Sequence, residues 1–463
     1  MSSTRHLEIA LSSGRSGTGP ATWGQQAIWD AVRGLDPADA PRYNVSLAAP
    51  VDPGVPVPLV LDAVRQLLGL HDSLHTRLHQ DDQGRLWQTV DPAGRVPVVA
   101  RTCAGQDEVA EAGSGLLAEL AGQPFDCARD WPVRVGLVES GGLVRHMAFV
   151  LSHTAVDAWG LRRLVTDLIA IVQGESPEAI GARHQALQPL DEAAFQASDR
   201  GRRRDAGARL HWQRKLRLGP PSIFPPGAAA APAVAVAKPF PNAVLNSPAL
   251  DRAVRLVAAG HRVSSSSVLL AAASAMTARL SGVSEAVLQV VVNNRFLPGL
   301  ADAVSTVAAE GLFQLPGAAG DFADVMRRTH SASIATYRSA YYDKRLLEQD
   351  IARIAERDGS VADRSCFFND TRELMPAPAQ PDEQEGAGAG TLERARARTT
   401  LSWPVEFAPR ANLSYALDAL QAPGALELSM TADSALVPRA DMERFLYGIE
   451  ELVVAEALAL GHG

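Results

Sequence analysis

The sequence predicts an α/β fold built of mixed α+β layers. Three observations carry that expectation. Apolar strands and amphipathic helices alternate along most of the chain, and two apolar strands near 133–138 and 143–151 flank the connection Glu139-Ser140-Gly141-Gly142, as a hairpin requires. Both halves of the chain mix helices and strands in similar amounts, on either side of a Pro- and Ala-rich stretch at 219–241. With 463 residues, 46% hydrophobic and 21% charged, the chain is long enough for two or three globular units.

The elements follow in order. Residues 1–20, rich in Ser, Gly and Arg, read as a flexible leader. Thr22-Trp23-Gly24-Gln25 has the spacing of a capping box, so a helix begins there with Ile28, Trp29 and Val32 on its apolar face. Leu59, Val60, Val64, Leu67 and Leu68 recur at helical spacing and predict a helix over 57–70. Short strands are expected at 87–90 and 96–101, with Asp91-Pro92-Ala93-Gly94 as a turn between them, and a helix over 107–122. The strand 143–151 runs into the segment Ser152-His153-Thr154-Ala155-Val156-Asp157-Ala158, and a helix follows to about residue 172. The first unit is thus expected over 21–218. Paired prolines at 220–221 and 225–226 make 219–241 a connector, and the second unit is expected over 242–463. That unit has helices at 251–261 and 267–280, a β-branched strand at 286–292, mostly helix over 331–355, a mobile loop at 375–390, a strand at 426–432 and a terminal helix over 439–460.

Bulk composition excludes several classes. A net charge of −8 argues against general nucleic-acid binding, which needs a basic surface. Cys103, Cys127 and Cys366 are odd in number and far apart, so neither a disulfide framework nor a thiolate metal site is expected, and the compartment is read as reducing and cytoplasmic. No run approaches the ~20 apolar residues that span a membrane, and residues 1–20 lack the apolar core of a signal peptide. There is no phosphate-cradling or dinucleotide-binding Gly motif.

The segment 152–158 is the strongest chemical candidate. A strand delivers His153 at its end, where a rigid scaffold can present an imidazole at a cleft as base, acid or hydrogen-bond acceptor. Asp157 reads as a cap for the helix that follows, and Thr154 with Asp157 three residues on also fits a capping box.

The segment resembles the His-His-x-x-x-Asp-Gly motif of nonribosomal peptide synthetase condensation domains, shared with chloramphenicol acetyltransferase-like acyltransferases. Other stretches resemble the family's motifs in its order. They are Thr22-Trp23-Gly24-Gln25-Gln26-Ala27-Ile28-Trp29, then Leu70-His71-Asp72-Ser73-Leu74-His75-Thr76-Arg77-Leu78, then Pro124-Phe125-Asp126 with Trp131-Pro132-Val133-Arg134. Leu190-Asp191-Glu192-Ala193-Ala194-Phe195 and Glu310-Gly311-Leu312-Phe313-Gln314-Leu315-Pro316 complete the series. Two positions depart from the motif, Ser152 for its first His and Ala158 for its Gly.

The resemblance implies two chloramphenicol acetyltransferase-like subdomains forming a V-shaped pseudo-dimer with a central tunnel. It implies a condensation enzyme that joins a carrier-bound acyl or aminoacyl thioester to an amine or hydroxyl. His153 matches the catalytic histidine. Asp157 matches a structural aspartate that pairs with an arginine from the second half, here Arg295, with Ser152 as further support. Trp159, Asn294 and Asn369 are the candidate tunnel-lining residues. No intrinsic cofactor is expected, because the phosphopantetheine arm comes on a partner carrier protein. The acceptor is carrier-bound or a small-molecule amine, and the protein is expected to be monomeric, needing neither nucleic acid nor membrane. Two alternatives stand beside this: a catalytically silent member that recruits a tailoring enzyme or organises an assembly line, favoured by Ser152 and Ala158, and an acyltransferase using a soluble acyl thioester.

Other residues admit two readings each. His71, His75 and His79 would share one face of a continuous helix, as metal ligands or as a solvated face. Arg200, Arg202, Arg203, Arg204 and Arg209 form a basic patch that fits either an acidic carrier protein or plain solvation, as do Arg394, Arg396 and Arg398. Asn369 and Asp370 end an aromatic strand, at a site or at a turn.

Overall fold

The computed structural model describes residues 3–224, 239–374 and 389–461. The chain forms two compact units, Met1–Arg204 with Asn293–Ala308, and Asp205–Val292 with Ala309–Gly463. The passage between them falls inside the helix Asp199–Leu218, ahead of the expected connector at 219–241. On the second side of that boundary Arg209 joins Asp205 at 3.0 Å and also bonds Asp350, so it belongs to a half-buried ion cluster instead of a solvated basic face. The expectations for 225–238 and 375–388 lie outside the described residues.

The main sheet of the first unit has the order Ser3–Ser12, Ala93–Thr102, Val133–Ser140, Leu143–Ser152, Asn44–Pro56. Only Ala93–Thr102 and Val133–Ser140 run parallel, joined by the crossover helix Val109–Ala121. Side chains alternate across the sheet. Val138 and Val150 meet Leu116 and Leu120 of that helix on one face. Val135, Leu137, Phe149 and Leu151 meet the helices Val57–Leu70 and Ala158–Val172 on the other. The hairpin turns on Gly141 and Gly142, at φ 62° and 78°, the left-handed pair that a tight two-residue hairpin needs. Thr22 and Gln25 close the capping box, Gln25 N donating to Thr22 Oγ1 at 3.2 Å and Thr22 N to Gln25 Oε1 at 2.8 Å.

Two expectations are corrected here. Residues 3–12 are a strand along Ala93–Thr102, not a flexible leader, and 17–20 pair with Leu86–Val90 in a second, three-stranded sheet. The reason is a period-two alternation masked by polar composition: Leu7, Ile9 and Leu11 face the core. Arg15 then places Nε 2.7 Å from the buried Asp72 carboxylate. Secondly, the helix Val57–Leu70 stops before His71, which is extended; His75 lies in a short 3-10 turn and His79 in the strand Thr76–Gln80. Gly69 weakens the last helical turn, and the three histidines share no helix face. His71 Nε2 instead sits 3.1 Å from Asp167, and His75 Nδ1 donates to the Asp91 carbonyl at 2.7 Å.

His146 carries a pH prediction. It projects from Leu143–Ser152 against Gly113, where a Cβ would come within 2.5 Å of its Nδ1, and that nitrogen is buried without a hydrogen bond among the described residues. Burial lowers the imidazole's affinity for a proton. The unfolded chain therefore takes the proton first, as pH falls through about 6.5, and stability falls with it. The melting temperature should drop between about pH 7 and pH 5. The drop should be shallower in His146→Leu, and equal slopes would exclude His146 as the source.

The second unit is built on a seven-stranded sheet in the order Ala309–Leu315, Ala286–Val292, Cys366–Asp370, Tyr415–Ala422, Ala425–Ala432, Phe240–Ser247, Thr400–Phe407. The second, third and fourth of these strands are mutually parallel. The helices Pro248–His261, Ser265–Ser281, Phe322–Arg338 and Arg439–Leu460 supply its core. The helical stretch expected at 331–355 is two helices, Phe322–Arg338 and Lys344–Asp358, the second capped by Asp343. Among the described residues no single helix is long and apolar enough to cross a membrane.

Candidate active site

The candidate site lies in the first unit, where the strand Leu143–Ser152 ends. Ser152 is still held as part of the strand, its N–H donating to the Pro132 carbonyl at 3.0 Å. Its buried hydroxyl is paired with Thr154 Oγ1 at 2.8 Å. The position that departs from the motif is therefore an internal one, occupied by a hydroxyl with a hydroxyl partner.

His153 is half-buried. Its Nδ1 lies 3.0 Å from the Val156 carbonyl oxygen. A carbonyl only accepts, so Nδ1 carries the hydrogen and the neutral ring keeps its lone pair on Nε2. The backbone of His153 is held as well, because the Thr306 hydroxyl donates to its carbonyl. The Tyr43 ring stands 6.3 Å from the imidazole, centroid to centroid. A cavity of about 190 Å³ opens beside it, lined among others by Trp29, Tyr43, Phe125, Cys127, Ser152 and His153. The Trp29 indole N–H is buried there without an acceptor among the described residues. Burial pushes the Cys127 thiol up, which disfavours the thiolate.

Asp157 anchors the loop. It is 1% exposed and caps the helix Ala158–Val172, accepting from Gly160 N at 2.7 Å. The capping box expected between Thr154 and Asp157 does not form: Asp157 is itself the cap, and the Thr154 hydroxyl is turned to Ser152. The carboxylate also accepts from Val307 N at 3.1 Å and Ala308 N at 3.0 Å. Arg295 meets it in a two-pronged pair, Nη1 to Oδ2 at 2.9 Å and Nη2 to Oδ1 at 2.8 Å. Arg295 Nη2 further donates to the Ala303 carbonyl at 3.0 Å, so the guanidinium also folds the segment Asn293–Ala308 around itself.

That segment approaches closely because two glycines permit it. A Cβ on Gly24 would lie 1.8 Å from the Thr306 carbonyl oxygen, and one on Gly160 would lie 3.2 Å from that of Ser305. A second tie runs through Asp302, which is 3.4 Å from Arg163 and 3.3 Å from His184. Arg163 and His184 in turn flank the buried Asp167, at 2.7 and 3.3 Å. Burial alone would raise the Asp167 carboxyl, but the hydrogen bonds and charges of His71 and Arg163 outweigh it and hold it below the ordinary range.

The three candidate tunnel-lining residues differ in their local settings. Asn294 is fully buried at φ 56°, its amide donating to the Val307 carbonyl at 2.8 Å. It braces the segment instead of lining a surface, and asparagine tolerates that left-handed backbone. Trp159 is half-buried on the first turn of Ala158–Val172. Asn369 belongs to the second unit and donates to Asp418 at 2.9 Å, a carboxyl that burial raises. Sequence reading missed Thr306, Tyr43 and Asp302 as parts of the site. Thr306 and Asp302 lie on a long hairpin connection without regular structure, a type of loop that is seldom without a function.

Comparison with known proteins bears on this geometry. A family model described as the condensation domain matches residues 22–456. An isonitrile lipopeptide synthase of Streptomyces coeruleorubidus is 28% identical over 282 residues, which is 60% of this chain and 18% of that protein. A second isonitrile lipopeptide synthase, of Mycobacterium tuberculosis, is 25% identical over 336 residues, 69% of this chain and 13% of that protein. The chain thus spans less than a fifth of the length of these curated relatives. Among solved structures, a condensation domain that mediates chain release from the enacyloxin polyketide synthase superposes with a TM-score of 0.69 at 20% identity, covering 95% of this chain and 83% of the other.

Proposed function

Because the chain belongs to the condensation-domain family, a group of acyltransferase-like proteins, we propose that it joins an acyl or aminoacyl group, carried as a phosphopantetheine thioester on a partner carrier protein, to an amine acceptor. The observation that carries this reading is the 3.0 Å contact between His153 Nδ1 and the Val156 carbonyl oxygen. With Nδ1 donating to the Val156 carbonyl, the neutral ring keeps Nε2 as its acceptor, and the half-buried residue lines the cavity beside it. Attack by the amine nitrogen on the thioester carbonyl forms the new C–N bond and puts charge on the carbonyl oxygen. Collapse breaks the C–S bond and releases the carrier thiolate. The nitrogen must lose one proton on the way, and Nε2 is the group placed to orient that N–H and receive it. The proton then passes to the departing sulfur or to water. Holding the tethered thioester and the amine at one imidazole supplies much of the remaining rate.

A silent, recruiting role is the second reading, and the departures Ser152 and Ala158 favour it. Against it, Ser152 is an internal residue with its own hydroxyl partner, so the change there leaves the presentation of His153 intact. The deciding experiment loads a carrier protein with an acyl thioester, adds an amine acceptor and follows amide product by mass spectrometry. Amide formed above the no-enzyme rate is the expected result. Acceptor-independent release only, or no product with any carrier encoded beside this chain, would replace the catalytic reading with the recruiting one.

A further inference from the structure

The peptide plane that joins His153 to Thr154 is held at both edges by hydroxyl groups. Its carbonyl accepts a hydrogen bond from Thr306 Oγ1. Its N–H, that of Thr154, donates to Ser152 Oγ at 3.4 Å. Ala155 N closes the turn around it, donating to the Ser152 carbonyl at 2.9 Å. Ser152 is the weaker hold of the two. Its bond to the plane is long, and its hydroxyl is shared with Thr154 Oγ1 at 2.8 Å.

Thr306 is placed independently of the bond it makes to His153. It is 2% exposed, and both its methyl and its own carbonyl lie over Gly24, where a Cβ would come within 3.4 Å of Cγ2 and 1.8 Å of the oxygen. A β-branched side chain has few χ1 choices, so a methyl packed there turns the hydroxyl toward the histidine. The backbone on either side is tied to the same loop. Asp157 N donates to the Ser305 carbonyl at 3.4 Å, and Val307 N and Ala308 N donate to the Asp157 carboxylate at 3.1 and 3.0 Å.

The imidazole is bonded to the Val156 carbonyl, and both partners of that bond ride on one loop. That bond therefore orients the ring within the loop and leaves the loop itself to be placed. A backbone carbonyl that loses its donor turns to find another. Turning this plane changes ψ at His153 and carries the Val156 carbonyl away from Nδ1. We propose that Thr306 is a positioning residue for His153, its hydroxyl fixing the peptide plane from which the imidazole is presented. Ser152, where the motif has its first His, secures the opposite edge of that plane. The inference rests on the acyl-transfer role proposed for His153.

The test follows amide formation at saturating amine and varied acyl-carrier, beside nitrogen-15 spectra of the histidine-labelled full chain, with His153→Ala assigning the His153 signals. Thr306→Val keeps the methyl over Gly24 and removes only the hydroxyl. It should lower kcat about 10- to 100-fold, the scale of a displacement of up to about 1 Å at the imidazole, with KM for the acyl-carrier unchanged. The two ring nitrogens of His153 should give well-separated signals in the wild type and draw together in Thr306→Val, as the Val156 contact loosens. Thr306→Ser restores the hydroxyl and should recover both readings. A kcat within about twofold of the wild type in Thr306→Val, or nitrogen signals that do not move, would overturn the proposal. So would a loss that Thr306→Ser shares in full, which would make Thr306 a packing residue. A larger loss in Ser152→Ala than in Thr306→Val would transfer the role to Ser152. If the wild type forms no amide, the acyl-transfer reading fails by itself, and the nitrogen spectra still decide whether Thr306 holds the ring.

Discussion

His153→Ala should lower the rate of amide formation by about 10²- to 10⁴-fold, the range that a positioned acid–base group supplies. The melting temperature should stay near that of the wild type. The side chain is half-buried, and the bond from Thr306 is to its backbone carbonyl, which alanine keeps. His153→Asn separates two roles. An asparagine amide can take over the donation to the Val156 carbonyl that Nδ1 makes, but it has no basic nitrogen in place of Nε2. If proton transfer at Nε2 is what His153 contributes, Asn and Ala will be equally slow. Recovery of activity in His153→Asn would assign His153 to holding the loop. The readout is initial rate at saturating acyl-carrier, with thermal melts of all three proteins.

The second large effect concerns the anchor. Asp157→Ala and Arg295→Ala should each destabilise the protein by about 3–5 kcal/mol, because each leaves a buried charge without its partner. The pair is 2% and 10% exposed at its side chains and bonds in two prongs. Removal of Asp157 also leaves Gly160, Val307 and Ala308 N–H groups unanswered. The double variant Asp157→Ala, Arg295→Ala should cost less than the two single losses added together, since neither charge is then left alone. Urea unfolding of the four proteins measures this, and strict additivity would mean that the two residues do not act as a pair. In the single variants the rate should fall about 10²-fold in the fraction that remains folded, as displacement of the His153 turn by about 1 Å costs that much.

These residues show how far local pattern reaches. The capping box at Thr22, the Gly141-Gly142 hairpin, the strand that ends at Ser152 and the helix that starts at Ala158 are all encoded within a few neighbours, and the structure has them. The strand at 3–12 is encoded equally locally, in the alternation of Leu7, Ile9 and Leu11, but its polar composition and terminal position outweighed that alternation. The helix ends at Leu70 as its periodicity predicts, and packing settles the stretch beyond it: Leu74 and Leu78 are buried from a turn and a strand. The strands Thr400–Phe407 and Tyr415–Ala422 escaped sequence reading. The strand pairing of Thr400–Phe407 comes from Phe240–Ser247, far away in the chain.

The same division runs through the site. Nothing local to Asp157 or to Arg295 predicts that they meet; the family resemblance implies it, and the segment Asn293–Ala308 brings it about. The closeness of that segment depends on Gly24 and Gly160, each unremarkable in its own stretch of sequence. By itself, then, the sequence determined the mixed α/β class, the individual caps and turns, and the delivery of a histidine at a strand end. All of these depend on periodicity and hydrogen bonds over a few residues. The tertiary structure alone decided that His153 Nδ1 meets the Val156 carbonyl, that Asn294 is a buried brace, and that Arg295 reaches Asp157. Those outcomes depend on groups that only the closed chain places within bonding distance, where burial and geometry, not residue type, set the energy.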